Sequence, residues 1–421
     1  MKSHWRVLAV AFVSYLFAIV AMVGVLGYTD LWYGFHDLTD TGLYHRYAMA
    51  LDAGRRPYFE LFIEYPPLAV LFLRLPPSTR DPLQYTLWFN AAMLAACGLS
   101  ALFTGAAARR IWPEGRRAYI VALAFAASVL AAGAIVANRL DAVVMLVIAC
   151  FLWLASERRW TWAAVALAVG FGVKLTPAVL LPLPLLLADT KRERLRTALA
   201  FLACAALPFA PFLGAEGLWQ FFRYHLARPL QIESALGSPL LAGHLAGLVP
   251  ASIGHGFGSQ FLQAPGSEWL AHVSGPLAMI AIAGVYALIW RRLAALRADP
   301  SLVPLAAFAV LLAAMTSSKV LSPQYFVWIL PCVALVLPRF RALAALSFLA
   351  LIVTQIEFPS LYWSLVELQP LPVALVLARN VLLAACLALA VWHLATAPSP
   401  VVAPASTPAS SRPSKRGRSS R

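Results

Sequence analysis

From residue 7 to residue 27 the chain carries no charged side chain, and apolar runs of similar character recur as far as residue 395. That pattern limits the fold more than any motif does. Crossing the hydrocarbon core of a bilayer takes a helix of about 20 apolar residues, and inside lipid the backbone must satisfy its own polar groups. Only 12% of the 421 residues are charged and 61% are hydrophobic, whereas soluble domains carry roughly 25% charged residues. A water-soluble globule of this length would lack the polar surface to cover its core. The expectation is an all-α polytopic membrane protein with about twelve transmembrane helices, read from runs of spanning length.

The formal charge of +15 then has to be explained by the bilayer. Arg and Lys cluster in short runs beside apolar segments, as cytoplasmic loops do under the positive-inside rule, and no nucleic-acid partner is implied. Residues 7–27 read as a retained first helix with its N-terminus inside. A first outer loop covers 28–83; within it 66–75 is apolar, bracketed by prolines and too short to cross, so it reads as re-entrant or juxtamembrane. Spans follow at 84–108, 119–137 and 142–155. Between the basic ends Arg159 and Lys191 a hairpin of two short helices is expected, with Lys174 at its outer tip. One long helix there would leave a lysine in mid-membrane. Further spans fall at 197–214, 270–290, 302–316, 326–337, 342–354 and 371–395, with a second long outer segment at 215–269. Residues 1–396 thus form one transmembrane domain. The Pro/Ser/Ala-rich stretch 397–421 ends in Lys415, Arg416, Arg418 and Arg421 and reads as a disordered basic cytoplasmic tail able to touch membrane lipids.

Within this topology the polar residues that cytoplasmic loops do not explain fall at outer ends. The first loop is the richest: DTGLYHRYAMALDAGRRPYFELFIEYPPLA, residues 40–69, packs acids, arginines and tyrosines together. Intramembrane and loop charges on such a chain are functional candidates. Asp40 leads as a general base, with Asp37 and Glu64 behind it. Asp40 also precedes a helix expected over 43–51, so capping and catalysis are both open to it. Glu64 precedes Tyr65-Pro66-Pro67, which stiffens the backbone; an ion pair with Arg55 or Arg56 is its structural alternative. Tyr44, Tyr47 and Tyr58 are candidate ligand-facing walls, and Glu60 a further contact. Arg139 and Asp141 either pair locally or bind phosphate. Lys174 and Lys319 either bind phosphate or snorkel to the interface. Arg228, Gln231, Glu233 and Ser234, with Ser322, Gln324 and Tyr325, complete the candidate ligand contacts. His225, His244 and His255 lack metal-ligand spacing, and no HExxH, CxxC, P-loop or GxGxxG occurs, so no cofactor or resident metal is expected; assistance by a divalent cation stays open. The five cysteines all lie in apolar stretches and read as free buried thiols.

These motifs resemble the GT-C superfamily of multi-spanning glycosyltransferases, and glycosyltransferase family 87 in particular, whose members include bacterial polyprenol-phosphate-mannose-dependent mannosyltransferases. The likeness lies in the acid-x-x-x-Tyr start at Asp40, the turn Gly54, Pro57, Tyr58, and Glu64-Tyr65-Pro66-Pro67. It continues in GVKLTP (172–177), RPLQIES (228–234) and KVLSPQY (319–325). The departure is Phe59-Glu60, where relatives often carry Arg-Asp. The resemblance implies a GT-C-type bundle with a helical first outer loop. It also implies inverting transfer of a sugar, most readily mannose, from a polyprenyl-phosphate donor to a lipid or glycan acceptor. By position the base is Asp40, and the site faces outward in a bacterial plasma membrane with both termini cytoplasmic. A transporter or flippase of lipid-linked sugars is the competing reading. Transporters place polar groups near mid-bilayer on broken helices, often in repeated halves, whereas here they gather at one face.

Overall fold

The computed structural model describes residues 2–28, 38–77 and 81–398; Asp37 and residues 399–421 of the tail lie outside them. Helix α1 (Lys2–Tyr28) is followed by α2 (Thr41–Asp52) and the five-residue α3 (Ala69–Leu73) of the first loop. Short turns then link α4 (Pro82–Ile111), α5 (Arg116–Ala132), α6 (Ile135–Asn138), α7 (Asp141–Ser156) and α8 (Trp160–Val173). A 3-10 turn (Thr176–Leu180) leads through α9 (Pro182–Leu187) to α10 (Lys191–Ala206). The second polar segment holds α11 (Glu216–Ala227), α12 (Ser238–Leu245), β1 (Ser252–Gly256) and β2 (Ser259–Gln263). The chain continues through α13 (Ser267–Arg291), α14 (Leu293–Ala298), α15 (Leu302–Thr316) and α16 (Phe326–Val336), then α17 (Arg341–Glu357), α18 (Tyr362–Val366) and α19 (Pro370–Ala395).

Among the described residues, four helices are long and apolar enough to cross a membrane: α1 through its stretch Trp5–Gly24, α4, α13 and α19. The rest of the expected dozen are shorter. Helices α7, α8 and α15 have 16, 14 and 15 residues, roughly 21–24 Å of rise against the ~30 Å of a hydrocarbon core. In the region 159–191 the second leg of the expected hairpin is reduced to the 3-10 turn and the six-residue α9. Pro177, Pro182 and Pro184 each remove a backbone donor there.

The all-α expectation needs one correction. β1 and β2 pair antiparallel, from Ser252 opposite Gln263 to Gly256 opposite Ser259. The two-residue turn between them, Phe257-Gly258, has φ of 53° and 64°, the left-handed pair that a tight hairpin turn requires. Glycines and polar residues in this stretch obscure the alternation that would otherwise mark a strand.

Almost every residue of α15 and α16 is buried. Helices that are apolar all round belong in the middle of a bundle, and here α5, α7, α17 and α19 pack around them. By contrast, α13 leaves most of its surface uncovered. Helices α7 and α8 pack against each other and run in opposite directions, joined by a tight turn at Glu157–Arg159. Asp141 and Lys174 therefore meet at one end of the bundle, and the basic turn sits roughly 21 Å away at the other.

Candidate active site

Asp40 occupies the capping position of α2, yet its carboxylate makes no cap hydrogen bond. It turns instead to Arg139, with Oδ1 2.7 Å from Nη1. The Tyr44 hydroxyl donates to Oδ2 at 3.3 Å. Arg139 follows α6 in extended backbone, is buried, and also donates to the carbonyl of Leu38. A buried guanidinium requires a counter-charge, and Asp40 supplies it. The carboxylate is thereby aimed while its side chain stays 31% exposed, open to a ligand from the remaining side.

Asp141 does not pair with Arg139, so the local salt bridge left open by the sequence is not formed. It reaches Lys174 instead, Oδ1 to Nζ at 2.8 Å, and accepts from Trp328 Nε1 at 2.6 Å. Lys174 ends α8 in extended backbone and lies 4.8 Å over the ring of Tyr325 and 5.1 Å over that of Trp328. These two rings stack on one another. A carboxylate and two π-faces hold the ammonium where it is.

Glu64 is likewise spoken for by residues other than those the sequence offered. Tyr224 donates to its Oε2 at 2.5 Å, and His225 Nε2 meets its backbone carbonyl at 3.1 Å. Arg56 pairs with Glu60 on the exposed surface, which keeps Glu60 apart from the cluster. Burial pushes the Glu64 carboxyl above the usual range, and the Tyr224 hydrogen bond pulls it part of the way back. The Tyr65 hydroxyl meets that of Tyr44 at 3.4 Å, tying this segment to Asp40. Just beyond, Leu68 N donates to Gly172 O at 2.8 Å. A Cβ on Gly172 would sit 2.6 Å from Leu68 Cδ1, so any larger residue there would push Leu68 aside where the first loop docks on the end of α8 beside Lys174.

The segments 228–234 and 319–325 are bolted together. Gln231 N donates to Lys319 O, Leu321 N to Gln231 Oε1, Gln231 Nε2 to Ser322 Oγ, and Ser234 Oγ to Ser318 O, all at 2.9–3.0 Å. The β-hairpin is pinned to the same strip by Leu262 N to Leu230 O. Glu233 points inward, fully buried, and pairs with Arg379 of α19 at 3.3 Å. Gln231, Glu233, Ser234 and Ser322 therefore act as fasteners. What they leave on the open edge are Arg228 and Lys319. Arg228 donates to Ser259 Oγ at 3.2 Å and Lys319 to Leu226 O at 2.6 Å. With His225 they line a cavity of about 1160 Å³ whose opposite wall is the first turns of α13, Trp269, His272 and Pro276 among them. Glu268 is its only lining acid among the described residues. Burial, and after it the adjacent Arg228 charge, lowers the Lys319 ammonium.

Burial also pushes His225 down to about 4, so the ring is neutral near pH 7 and adds no charge to this edge. Because that value lies below the ordinary 6.5, the unfolded chain takes up the proton first as pH falls. Stability conferred by the neutral ring is complete above 6.5 and is lost as pH drops toward about 4. His225→Gln is expected to flatten the pH dependence of unfolding in that window, by up to ~3 kcal/mol. An unchanged slope would assign the acid sensitivity to other groups.

The Glu64 carboxyl feels Asp40, Arg228 and Lys174, and His225 feels Arg228, Lys174 and Lys319. These groups share one electrostatic neighbourhood. Tyr44, Tyr47 and Tyr58 are buried, and the Tyr58 hydroxyl donates to Tyr65 O; they frame the site as packing elements rather than standing as open walls. Gln324 and Tyr325 lie on the short turn that abuts Lys174. Three contributors escaped the sequence reading. Arg379 sat in plain view as a charge within an apolar run, a placement that is costly in a membrane and therefore informative. Trp328 and Tyr224 gave no local signal, because their partners Asp141 and Glu64 come from distant segments. Among the described residues no group of His, Cys, Asp and Glu could hold a metal ion.

The apolar helices define an integral membrane protein, with acids and cations gathered at one end of its bundle. The chain belongs to glycosyltransferase family 87, a GT-C-type membrane glycosyltransferase family, whose family model matches residues 62–323. The match takes in Glu64, Lys174, Arg228 and Lys319, while Asp40 and Arg379 lie outside it. Neither the curated proteins nor the solved structures gave a match.

Proposed function

We propose that this glycosyltransferase moves a sugar, mannose in the first instance, from a polyprenyl-phosphate donor to a hydroxyl of a lipid or glycan acceptor. The reaction takes place at the outer face of a bacterial plasma membrane. The observation that carries the reading is the cavity edged by Arg228 and Lys319 and walled by the sparsely packed α13. A phosphate needs cations and hydrogen-bond donors, and a polyprenyl tail needs an apolar wall open to lipid; the two occur side by side.

In this mechanism Asp40 takes the proton of the acceptor hydroxyl, whose oxygen attacks the anomeric carbon from the face opposite the phosphate. The new C–O bond forms as the bond to the phosphate oxygen breaks, so the anomeric configuration inverts. The polyprenyl phosphate leaves with the electron pair. Arg228 and Lys319 stabilise its added charge, with Lys174 held nearby. Glu64, drawn toward neutrality by burial, is the second acid of the chamber and can hydrogen-bond a sugar hydroxyl.

The test is incubation of the purified protein with radiolabelled polyprenyl-phosphate mannose, and separately arabinose, with lipid and glycan acceptors. A labelled product from one donor fixes the sugar; none from either donor, with protein shown to be folded, rejects the reading. Arg228→Gln and Lys319→Gln are each expected to lower kcat/KM for the donor by about 10- to 100-fold, the loss of one charge-assisted hydrogen bond. Unaltered donor kinetics in both variants would move the phosphate elsewhere.

A further inference from the structure

At the end of the bundle away from Asp40 the tight turn between α7 and α8 meets the start of α10, and a groove runs between them. Its inner part, a cavity of about 460 Å³, is lined by Arg158, Arg159, Trp160, Thr161, Trp162, Glu193 and Arg196. It shares Glu193 and Arg196 with an outer part of about 950 Å³ that continues along α10 past Leu195 to Leu199 and Ala200. Four arginines line this groove, Arg192 being the fourth. The neighbouring acids are already engaged. Asp189 accepts both its contacts from Arg158, at 3.1 Å. Glu193 accepts from the backbone N–H of Asp189 at 3.1 Å and stands 4.0 Å from Arg196. Arg196 Nε donates to Thr161 Oγ1 at 3.1 Å. Among the described residues Arg159 and Arg192 have no side-chain partner.

Polarity in this groove changes along the helix axis and not around it. Lys191, Arg192, Arg194 and Arg196 fill the first turns of α10, and from Thr197 to Ala206 the helix carries no charge. Trp162, Leu195 and Leu199 are each more than half exposed. They lie alongside the cations within about 12 Å of rise. A basic mouth that passes over an interfacial tryptophan into an exposed apolar wall has the profile of one amphiphile lying parallel to the helices. A soluble anion would use the mouth and leave the wall bare.

We infer that this groove is a binding site for an anionic glycerophospholipid. Its headgroup phosphate sits on Arg159 and Arg192, and its acyl chains lie along Trp162, Leu195 and Leu199. The site is separate from the chamber around Asp40 and does not depend on what reaction that chamber performs.

The experiment follows the thermal unfolding of the full chain in detergent micelles. The titrants are dioleoyl phosphatidylglycerol, dioleoyl phosphatidylcholine and inorganic phosphate, with bound lipid counted by native mass spectrometry. The expected result is a rise in Tm with phosphatidylglycerol alone. The R159Q/R192Q variant should need about thirtyfold more of it, roughly fivefold for each arginine near an anionic headgroup. Should the double variant not purify, R159Q by itself should show the fivefold shift. Equal stabilisation by phosphatidylcholine would reduce the groove to unspecific lipid contact. Equal stabilisation by inorganic phosphate would make it an anion site without a tail. No response to phosphatidylglycerol, or an unaltered response in the variants, would overturn the assignment.

Discussion

Asp40→Asn is expected to cut sugar transfer by about 10²- to 10⁴-fold, the range associated with loss of a general base. The amide retains the shape of the side chain and an oxygen for Tyr44 and Arg139, but it cannot take a proton. Some stability should be lost as well, because the neutral amide leaves the buried Arg139 guanidinium without its counter-charge; turnover is therefore compared on protein shown to be folded. The measurement is kcat with a saturating donor and acceptor, alongside an unfolding curve for each form. Turnover within a factor of two of the parent would strip Asp40 of the role and leave Glu64, which lies in the same neighbourhood, as the acid to test.

Arg379→Met should produce the largest loss of stability of any single change discussed, about 3–5 kcal/mol, because it strands buried carboxylates without their counter-charge. Arg379 is fully buried in α19 and lies 3.3 Å from Glu233 and 3.7 Å from Glu357, both of them buried too. Neither oxygen of Glu357 has a hydrogen-bond partner among the described residues, so the guanidinium is its main compensation. The variant carrying Arg379→Met, Glu233→Gln and Glu357→Gln should regain most of the loss, since neutralising all three removes the stranded charge. Equilibrium unfolding in mixed micelles reads both. A single variant within ~1 kcal/mol of the parent would show the cluster to be as weak as a surface pair.

The membrane class and the family were legible from the sequence for a physical reason. Apolar runs of spanning length are local, and so are the motifs at 64–67, 172–177, 228–234 and 319–325. Pairing was not legible. Asp40 and Arg139, Asp141 and Lys174, and Glu64 and Tyr224 each join segments far apart in the chain, and periodicity carries no information about such partners. The sequence therefore offered Arg55 or Arg56 for Glu64 and a local bridge for Arg139, both of them nearest neighbours, and the fold chose neither. Span counting was limited in the same way. Helices such as α15 and α16 are apolar because they are buried in the bundle, and composition alone does not separate that from facing lipid. The β-hairpin was hidden because its turn relies on a left-handed Phe257, a conformation that few residue-level rules would assign to phenylalanine.

The contact between Arg379 and Glu233 ties the last long helix to the strip that presents Arg228, even though residue 379 lies well past the end of the family match at 323. A truncated chain stopping at that limit would keep every matched residue and still lose the brace behind the strip that carries Arg228. The reactive end is thus no detachable module, and swapping C-terminal helices between relatives should succeed only when the arginine travels with its acids.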